Sequence, residues 1–378
     1  MEFKVSIEQK QLLEEVRRFA KLSLNGEEYF DQFSYEQWKA TAEFGLLGLM
    51  APENYGGLNE SYLTAAMVIE ELGYSCKNNG FVFAVNNHIW VGLNLINRFG
   101  SDSLKDKYIP RMVTGELIGA MAITEADAGS DAHAMSSAYR ETEDGYILNG
   151  NKMFISNGTI ADVFVVFAQR EGGSKSNTTA FVVEKTFEGV TVGKDIEKMG
   201  LDACPMAEIS FNNCFIPKEN LLGKIDNANV IMSYALEAER CYEFAPHVGA
   251  MQRIMEECIE YAETRKQFGK AIGEYQAISH KIAEMRMNIE CAKLLLYKIG
   301  WMKDEGKNTY LESSMFKLFV SEKYIKACED ALQIFGAYGY TKEYGIEREL
   351  RDAHACSIYS GTNEMQKNTI YSIAKYGQ

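Results

Sequence analysis

The residues best suited to chemistry are a carboxylate beside an arginine, Glu239 and Arg240 in the segment L-E-A-E-R. A second polar segment, C-S-I-Y-S-G-T-N-E-M-Q, contains Ser360 and Gly361. A carboxylate in an apolar, water-poor pocket has a raised pKa and can act as a general base near neutral pH. A serine hydroxyl is too weak a base to remove a proton from carbon. Glu239 is therefore a candidate base for proton abstraction, and the backbone N–H of Ser360 is a candidate donor to a carbonyl in an oxyanion hole.

Two neighbouring carboxylates compete with Glu239 for the role of base. Glu237 is two positions away and points to a different face of a helix, whereas Glu243 lies more nearly on the same face. The alternative for Glu239 itself is an ordinary ion pair with a basic neighbour at the surface.

Two earlier segments have the composition of a ligand-binding surface. Ala122–Asp131 reads A-I-T-E-A-D-A-G-S-D, a tight polar turn that can present backbone amides and hydroxyls to a ligand. Lys152–Asn157 reads K-M-F-I-S-N and places the aromatic Phe154 beside Ile155. Taken alone, the first is also compatible with a surface turn, and the second is more typical of a protein core.

Two later segments are suited to binding phosphate. Arg265–Gly269 reads R-K-Q-F-G and is followed by Gln276, while Gln333–Ala337 reads Q-I-F-G-A. Arginine is a permanent cation with directed donors that match phosphate oxygens. Gly336 lets a ligand approach the backbone closely. The alternative for Arg265 is an exposed charge on a helix.

Together these segments resemble the acyl-CoA dehydrogenase family, and the resemblance covers essentially the whole chain. Many members place the catalytic base where this chain has Ser360. The subgroup that includes isovaleryl-CoA and long-chain acyl-CoA dehydrogenases places it where Glu239 stands, and this chain is similar to that subgroup. Glu243 lacks the adjacent arginine of the motif.

The resemblance implies FAD as the cofactor, with the diphosphate and adenosine reached across a subunit interface. It implies substrate contacts for Ser130, Arg240, Ser360 and Gly361, and catalysis by Glu239. The implied FAD-binding residues are Met121, Ile123, Thr124, Gly129, Ser130, Phe154, Ile155, Ser156, Arg265, Phe268, Gln276, Gln333, Gly336, Ala337, Thr362 and Glu364.

The chain departs from the family pattern at several positions. Ala126 and Asp127 replace Pro and Gly in the first polar turn. Phe154 replaces the usual Trp, which keeps an aromatic face but loses the indole donor. Ala337 replaces a second Gly and adds a methyl group near the expected diphosphate. Asp202 stands where relatives often carry Arg, so a contact between domains is expected to differ.

The resemblance implies FAD-dependent α,β-dehydrogenation of an acyl thioester, from acyl-CoA to trans-2-enoyl-CoA. Glu239 would remove the α-proton while flavin N5 takes the β-hydride. One alternative is a dehydrogenase or oxidase of an acyl or aminoacyl group, such as prolyl, on a carrier protein. Others are a flavin monooxygenase or nitroalkane-oxidase-like branch, against which a glutamate before Arg240 weighs, and a non-catalytic flavoprotein of the same fold. The sequence leaves three properties open: the length of the acyl chain, whether the thioester is on CoA or on a carrier protein, and whether the electron acceptor is an electron-transfer flavoprotein or oxygen.

The hydrophobic periodicities predict an α+β fold in three domains. They are an N-terminal helical domain (1–120), a middle antiparallel β domain (121–226) and a C-terminal four-helix bundle (227–378), which is the order of the acyl-CoA dehydrogenase fold. By resemblance, the chain forms a homotetramer. The predicted strands are Val163–Ala168, Thr179–Val183 and Ala207–Phe211, and the predicted bundle helices are 229–263, 271–300, 309–335 and 362–375.

Several local signals refine this prediction. Ser6–Gln9 forms a capping box at the start of the first helix. Asn149-Gly150 and Asn157-Gly158 are hairpin-type turn signals, and Gly172–Ser174 is a loop between strands. Pro246 should kink the first bundle helix and free the carbonyl of Tyr242 one turn earlier.

Composition excludes several classes of function. The formal net charge of −14 argues against binding to nucleic acid or to an anionic membrane. Eight scattered cysteines without a C-x-x-C pair, and five histidines without a spaced set, predict no metal site and a reduced, cytoplasmic protein. No apolar run is long enough for a transmembrane helix, and Met1–Lys10 lacks the features of a signal peptide.

Overall fold

The computed structural model describes residues 5–26, 29–173 and 177–377. Met1–Lys4 and Ser174, which entered the expectations above, lie outside the described residues. Helices come first along the chain, then a β-sheet, then long helices. The first helix begins with the predicted capping box, in which Ser6 Oγ accepts from the Gln9 amide and Gln9 Oε1 accepts from the Ser6 amide. The N-terminal helices are α1 Ile7–Ser23, α2 Tyr35–Glu43, α3 Tyr62–Ser75, α4 Asn79–Asn86, α5 Asn94–Phe99 and α6 Asp102–Val113.

The middle of the chain forms one sheet in the order β6-β7-β3-β2-β4-β5-β8, with β1 also paired to β4. Most pairs are antiparallel, as predicted, but β4 pairs in parallel with both β1 and β2. The predicted antiparallel β domain is therefore confirmed for most strand pairs, and the two parallel pairs of β4 depart from it. The strands are β1 Gly119–Ala122, β2 Ala138–Glu141, β3 Gly145–Ser156, β4 Val163–Arg170, β5 Thr178–Glu184, β6 Val190–Val192, β7 Met206–Pro217 and β8 Leu221–Leu222.

Neither Asn-Gly signal forms a hairpin. Asn149 and Gly150 lie inside β3, at a register shift in its pairing with β7. Gly150 is required there by a close approach, because a Cβ would lie 2.3 Å from the Ser137 hydroxyl oxygen. Asn157 and Gly158 do form a turn, but it joins β3 to β4, and β2 lies between these two strands in the sheet.

The C-terminal helices agree with the predicted bundle, with two corrections. The predicted helix 229–263 is interrupted by a π-helical turn, Glu239–Glu243. Residues 271–275 are not part of the next α-helix, which begins at Gln276, because a short hairpin, β9 Lys266–Gln267 and β10 Lys270–Ala271, precedes it. The helices are α7 Ala228–Ala238, α8 Ala245–Thr264, α9 Gln276–Asp304, α10 Tyr310–Phe335, α11 Ala337–Tyr340, α12 Ile346–His354 and α13 Asn363–Tyr376.

Close packing of α3 against α8 fixes the position of the π-helical turn. A Cβ on Gly73 would lie 2.0 Å from the Pro246 carbonyl oxygen, and one on Gly249 would lie 2.0 Å from the Glu70 carbonyl oxygen. Each helix thus presents a glycine to the backbone of the other. The start of α8, directly after the π-helical turn, is therefore held against the N-terminal helices.

Two bulk features complete the fold. Across the part of the chain that the structure describes, no helix is long and apolar enough to cross a membrane. All eight cysteines are free, and all but Cys291 are buried, as expected for small apolar residues.

Candidate active site

Glu239 is the first residue of the π-helical turn between α7 and α8. The predicted free carbonyl of Tyr242 lies in this turn and accepts a hydrogen bond from Asn86 Nδ2 at 3.1 Å. π-Helical turns are uncommon and occur frequently at functional sites. The Glu239 side chain is partly buried; burial raises its pKa to about 7, although the adjacent Arg240 charge acts in the opposite direction. With a pKa of about 7, the Glu239 carboxylate can accept a proton near neutral pH and can therefore act as a general base.

Arg240 joins this turn to the distant Ser-Gly segment. Its Nε donates to the carbonyl oxygen of Ser360 at 3.4 Å. The side-chain Nε2 of Gln366 donates to the same carbonyl at 3.2 Å and to that of Gly361 at 2.8 Å. Ser360 has a φ of +56°, unusual for a residue with a side chain, and Gly361 has a φ of +83°. The structure thus brings together two sequence-predicted segments and holds the Ser-Gly loop in one conformation.

The three candidate bases have different environments. Glu237 is buried in an ion pair with Lys303 at 2.8 Å and accepts hydrogen bonds from the Thr309 amide and hydroxyl, so its charge is already neutralised. Glu243 is 1% exposed, and neither of its carboxyl oxygens has a hydrogen-bond partner among the described residues. Burial, and then the Glu239 charge, raises the pKa of Glu243 well above its usual value.

A buried ion pair that was not predicted links the two earlier polar segments. Lys152 Nζ donates to Glu125 Oε1 at 2.8 Å and to the Ile123 carbonyl oxygen at 3.0 Å. Glu125 also accepts from the backbone amides of Ser136 and Ser137. Burial alone would raise the pKa of Glu125, but the Lys152 charge and these donors outweigh it and lower the pKa to about 2. The available sequence signal was that Lys152 is the one charged residue of β3.

The two segments that this ion pair links also present aromatic and polar side chains. The Met153 amide donates to the Thr124 carbonyl oxygen at 2.8 Å, which joins the two segments edge to edge. Phe154 has a φ of +59° and is 55% exposed, an unfavourable arrangement for a large apolar residue. Of the other predicted residues in these segments, Gly129 and Ser130 are exposed, Met121, Thr124 and Ser156 are partly buried, and Ile123 and Ile155 are buried.

The predicted diphosphate residues form a second exposed surface. Arg265 directly follows α8 and Gln276 begins α9, on either side of the short hairpin whose tip carries Phe268, 96% exposed. A Cβ on Gly336 would meet nothing within 4 Å, and Gln333 and Ala337 on either side of it are also exposed.

The remaining FAD-associated positions lie at the start of α13. Thr362 caps this helix by accepting from the Met365 amide at 3.3 Å, and Glu364 in its first turn is exposed.

The departure at Asp202 has a visible counterpart. Arg351 of α12 approaches Asp202 Oδ2 at 3.5 Å and donates to the Met199 carbonyl oxygen at 2.9 Å. The neighbouring Leu201 amide donates to Asp352 at 2.6 Å. An acidic residue at position 202 therefore faces an arginine in the C-terminal helices, and this contact ties the middle of the chain to α12.

Three family models together match most of the chain. Residues 6–116 match the acyl-CoA dehydrogenase N-terminal domain, residues 120–214 the middle domain, and residues 228–374 the C-terminal domain. The chain therefore belongs to the acyl-CoA dehydrogenase family, and it is an FAD-dependent oxidoreductase that acts on CH–CH donors.

Particular relatives are similar over nearly the full length. An L-prolyl-[peptidyl-carrier protein] dehydrogenase of Serratia sp. is 37% identical over 375 residues, which are 98% of this chain and 97% of the relative. The crystal structure of the prolyl acyl carrier protein oxidase AnaB is 38% identical, covers 98% of this chain and 99% of its own, and has a TM-score of 0.95. The FAD complex of PigA is 36% identical, covers 99% of each chain, and has a TM-score of 0.96.

Proposed function

We propose that this protein oxidises an acyl thioester between its α and β carbons, with Glu239 as the base. The observation that carries the proposal is the pairing of Glu239, whose pKa is about 7, with Arg240, which binds the Ser360 carbonyl oxygen. A base and a backbone oxyanion donor then lie on adjoining segments. The α-proton passes to the Glu239 carboxylate while the Ser360 N–H polarises the thioester carbonyl.

FAD, when bound, would supply the two-electron oxidant for the β-hydride that leaves as the Cα–Cβ double bond forms. The exposed Phe154 and the hydroxyls of Thr124 and Ser130 fit a surface that holds the flavin. An exposed Phe in a left-handed backbone conformation is a poor surface residue unless a ligand covers it. Arg265 and Gly336 fit the diphosphate, one by charge and the other by leaving the backbone accessible.

The favoured substrate is an aminoacyl thioester on a carrier protein. Supporting this are the full-length similarities to an L-prolyl-[peptidyl-carrier protein] dehydrogenase and to a prolyl acyl carrier protein oxidase. The second candidate is an acyl-CoA thioester, which the matches to three acyl-CoA dehydrogenase domain models favour. The electron acceptor is an electron-transfer flavoprotein or oxygen.

The domain bounds, the assembly and the cellular location are part of the same proposal. We assign three domains, 1–120, 121–226 and 227–378, and a homotetramer in which one subunit completes the FAD site of another. The exposed apolar tip at Phe268 supports such an assembly. Eight free thiols support a cytoplasmic location.

The direct test is an anaerobic screen of prolyl carrier protein, prolyl-CoA and butyryl-CoA, monitored by loss of oxidised flavin absorbance. We expect one thioester class to reduce the flavin within a single turnover. Subsequent admission of oxygen or an electron-transfer flavoprotein identifies the acceptor. If the flavin remains oxidised with every thioester, the proposal fails, and consumption of a nitroalkane would then indicate the monooxygenase-like branch.

A further inference from the structure

Glu243 is a buried acid that the proposed mechanism does not use. It lies at the end of the π-helical turn that begins with Glu239, and it is 1% exposed. Both of its carboxyl oxygens lack a hydrogen-bond partner among the described residues. A buried polar group without a partner destabilises a fold, so such a group calls for an explanation.

The polar groups around Glu243 are already engaged elsewhere. Tyr359 and Cys204 are close enough for the charge of Glu243 to affect their ionisation. The Tyr359 hydroxyl, however, is bonded to His247 Nε2 at 2.6 Å, and the Cys204 thiol donates to Asn157 Oδ1. Neither of these two neighbours therefore satisfies the Glu243 carboxyl.

Tyr359, one of these two neighbours, is packed between aromatic rings. The Tyr359 ring lies 4.9 Å from that of Phe83 and 4.8 Å from that of Phe244, centroid to centroid. Tyr359 immediately precedes Ser360, whose backbone N–H is assigned to the thioester carbonyl. Tyr359, on which the charges of both Glu239 and Glu243 act, therefore links the surroundings of Glu243 to the Ser-Gly loop.

Charge also points to a partner from outside the chain. Glu239 and Glu243 are two acids in one turn, and the charge of Glu239 acts on Glu243. Arg240 is directed at the Ser360 carbonyl, and the buried Lys317 is bonded to Asn363 Oδ1 at 2.7 Å. A cationic group on the substrate would compensate this excess of acid, whereas an alkyl chain would leave Glu243 unpaired.

We propose that Glu243 is a specificity-determining residue that binds a basic nitrogen carried by the acyl part of the substrate. The inference rests on the proposed thioester dehydrogenation and specifies its substrate class as aminoacyl. Hydroxyacyl groups can share a hydrogen bond with an acid but do not supply a charge, so they bind less tightly. Unsubstituted acyl groups are disfavoured because they bury the acid without a partner.

The test compares two thioesters that differ by one atom group, prolyl and cyclopentanecarbonyl, on the same pantetheine carrier. Flavin reduction is measured in the wild type, Glu243→Gln and Glu243→Leu. We expect the wild type to favour the prolyl thioester by at least about tenfold, and Glu243→Leu to lower that ratio by about tenfold or more. Glu243→Gln should give an intermediate ratio. An unchanged ratio in Glu243→Leu overturns the inference.

Two further measurements separate binding from structure and from turnover. Glu243→Leu should unfold at the same or a higher temperature than the wild type, because it replaces an unpaired acid by an apolar group. A lower unfolding temperature, together with an equal loss of flavin reduction by both thioesters, marks a structural residue and overturns the inference.

The second measurement is calorimetric binding of the two thioesters to Glu239→Gln, with and without Glu243→Leu, which requires no turnover. A binding preference for the prolyl thioester that depends on Glu243 supports the inference. It does so even if neither thioester reduces the flavin of the wild type, which is the result that defeats the proposed function. Equal binding overturns it.

Discussion

The buried Lys152–Glu125 ion pair gives the most quantitative prediction, for the substitution Lys152→Met. The pKa of Glu125 is about 2 in the fold, against 4.5 as the ordinary value. This difference of about 2.5, at about 1.36 kcal/mol for each pKa unit, corresponds to about 3 kcal/mol of stability at neutral pH. Burial also lowers the pKa of Lys152, a cost that the substitution removes. We therefore expect a net loss of about 2 kcal/mol in the free energy of unfolding.

The sign of the pH dependence follows from the lowered pKa of Glu125. Its contribution is fully present above pH 4.5 and is lost as the pH falls through the folded-state value of about 2. The stability gap between wild type and Lys152→Met should therefore be widest at neutral pH and narrow below pH 4.5. Urea unfolding followed by circular dichroism at several pH values measures this gap.

Matched variants make the Lys152 prediction refutable. Lys39→Met removes an exposed i,i+4 partner of Glu43 and should be nearly neutral. The double variant Lys152→Met with Glu125→Leu replaces both charges and should recover much of the lost stability, because no uncompensated acid stays buried. If Lys152→Met is as stable as Lys39→Met at neutral pH, or if the gap does not depend on pH, the reasoning is wrong.

Three further predictions concern the cofactor and the base. Arg265→Ala should weaken FAD affinity by roughly ten- to hundredfold, because it removes a charge-assisted phosphate contact; titration of the apoprotein with FAD measures the affinity. The control is Arg286→Ala, which removes an exposed arginine of α9. Equal losses of FAD affinity in the two variants would contradict the assignment of Arg265. The rate of flavin reduction should rise with pH through about 7 as Glu239 loses its proton, and a rate independent of pH from 5 to 9 would exclude it as the base. The purified protein should be yellow, with about one FAD per subunit in a homo-oligomer; light scattering that finds a stable FAD-containing monomer would contradict assembly across subunits.

Much of the fold was accessible from sequence because long amphipathic helices carry strong periodic signals. The capping box at Ser6 and the bundle helices α10 and α13 are examples. Pro246 has no N–H to donate to the Tyr242 carbonyl, as the sequence predicts, but the Asn86 side-chain amide that donates to this carbonyl is placed there by tertiary packing that no local pattern reveals.

The errors arise where tertiary contacts override local preference. Asn149-Gly150 is a strong hairpin signal, yet Gly150 is needed for a close approach to Ser137 within a strand. The parallel pairs of β4 join strands that are distant in sequence. The Lys152–Glu125 pair could not be predicted for the same reason, since the partner of the one charged residue in β3 is known only after the chain folds.

The candidate site was predictable as segments but not as an arrangement. The sequence identified Glu239, Arg240 and Ser360 individually, and the structure adds that Arg240 bonds the Ser360 backbone. It also distinguishes Glu237, neutralised by Lys303, from the unpartnered Glu243. Such differences depend on burial and on partners, which residue spacing does not encode.

The most direct test of the central claim is anaerobic flavin reduction in Glu239→Gln with the thioester that reduces the wild type. Glutamine keeps the size of the side chain but cannot accept the α-proton, so the rate should fall by about a hundredfold or more while FAD content is retained. Ser360→Ala should cost little, because only its backbone N–H acts. Glu239→Gly combined with Ser360→Glu should restore measurable reduction if both positions face the same carbon. Full activity in Glu239→Gln would contradict the account and transfer the role of base to Glu243.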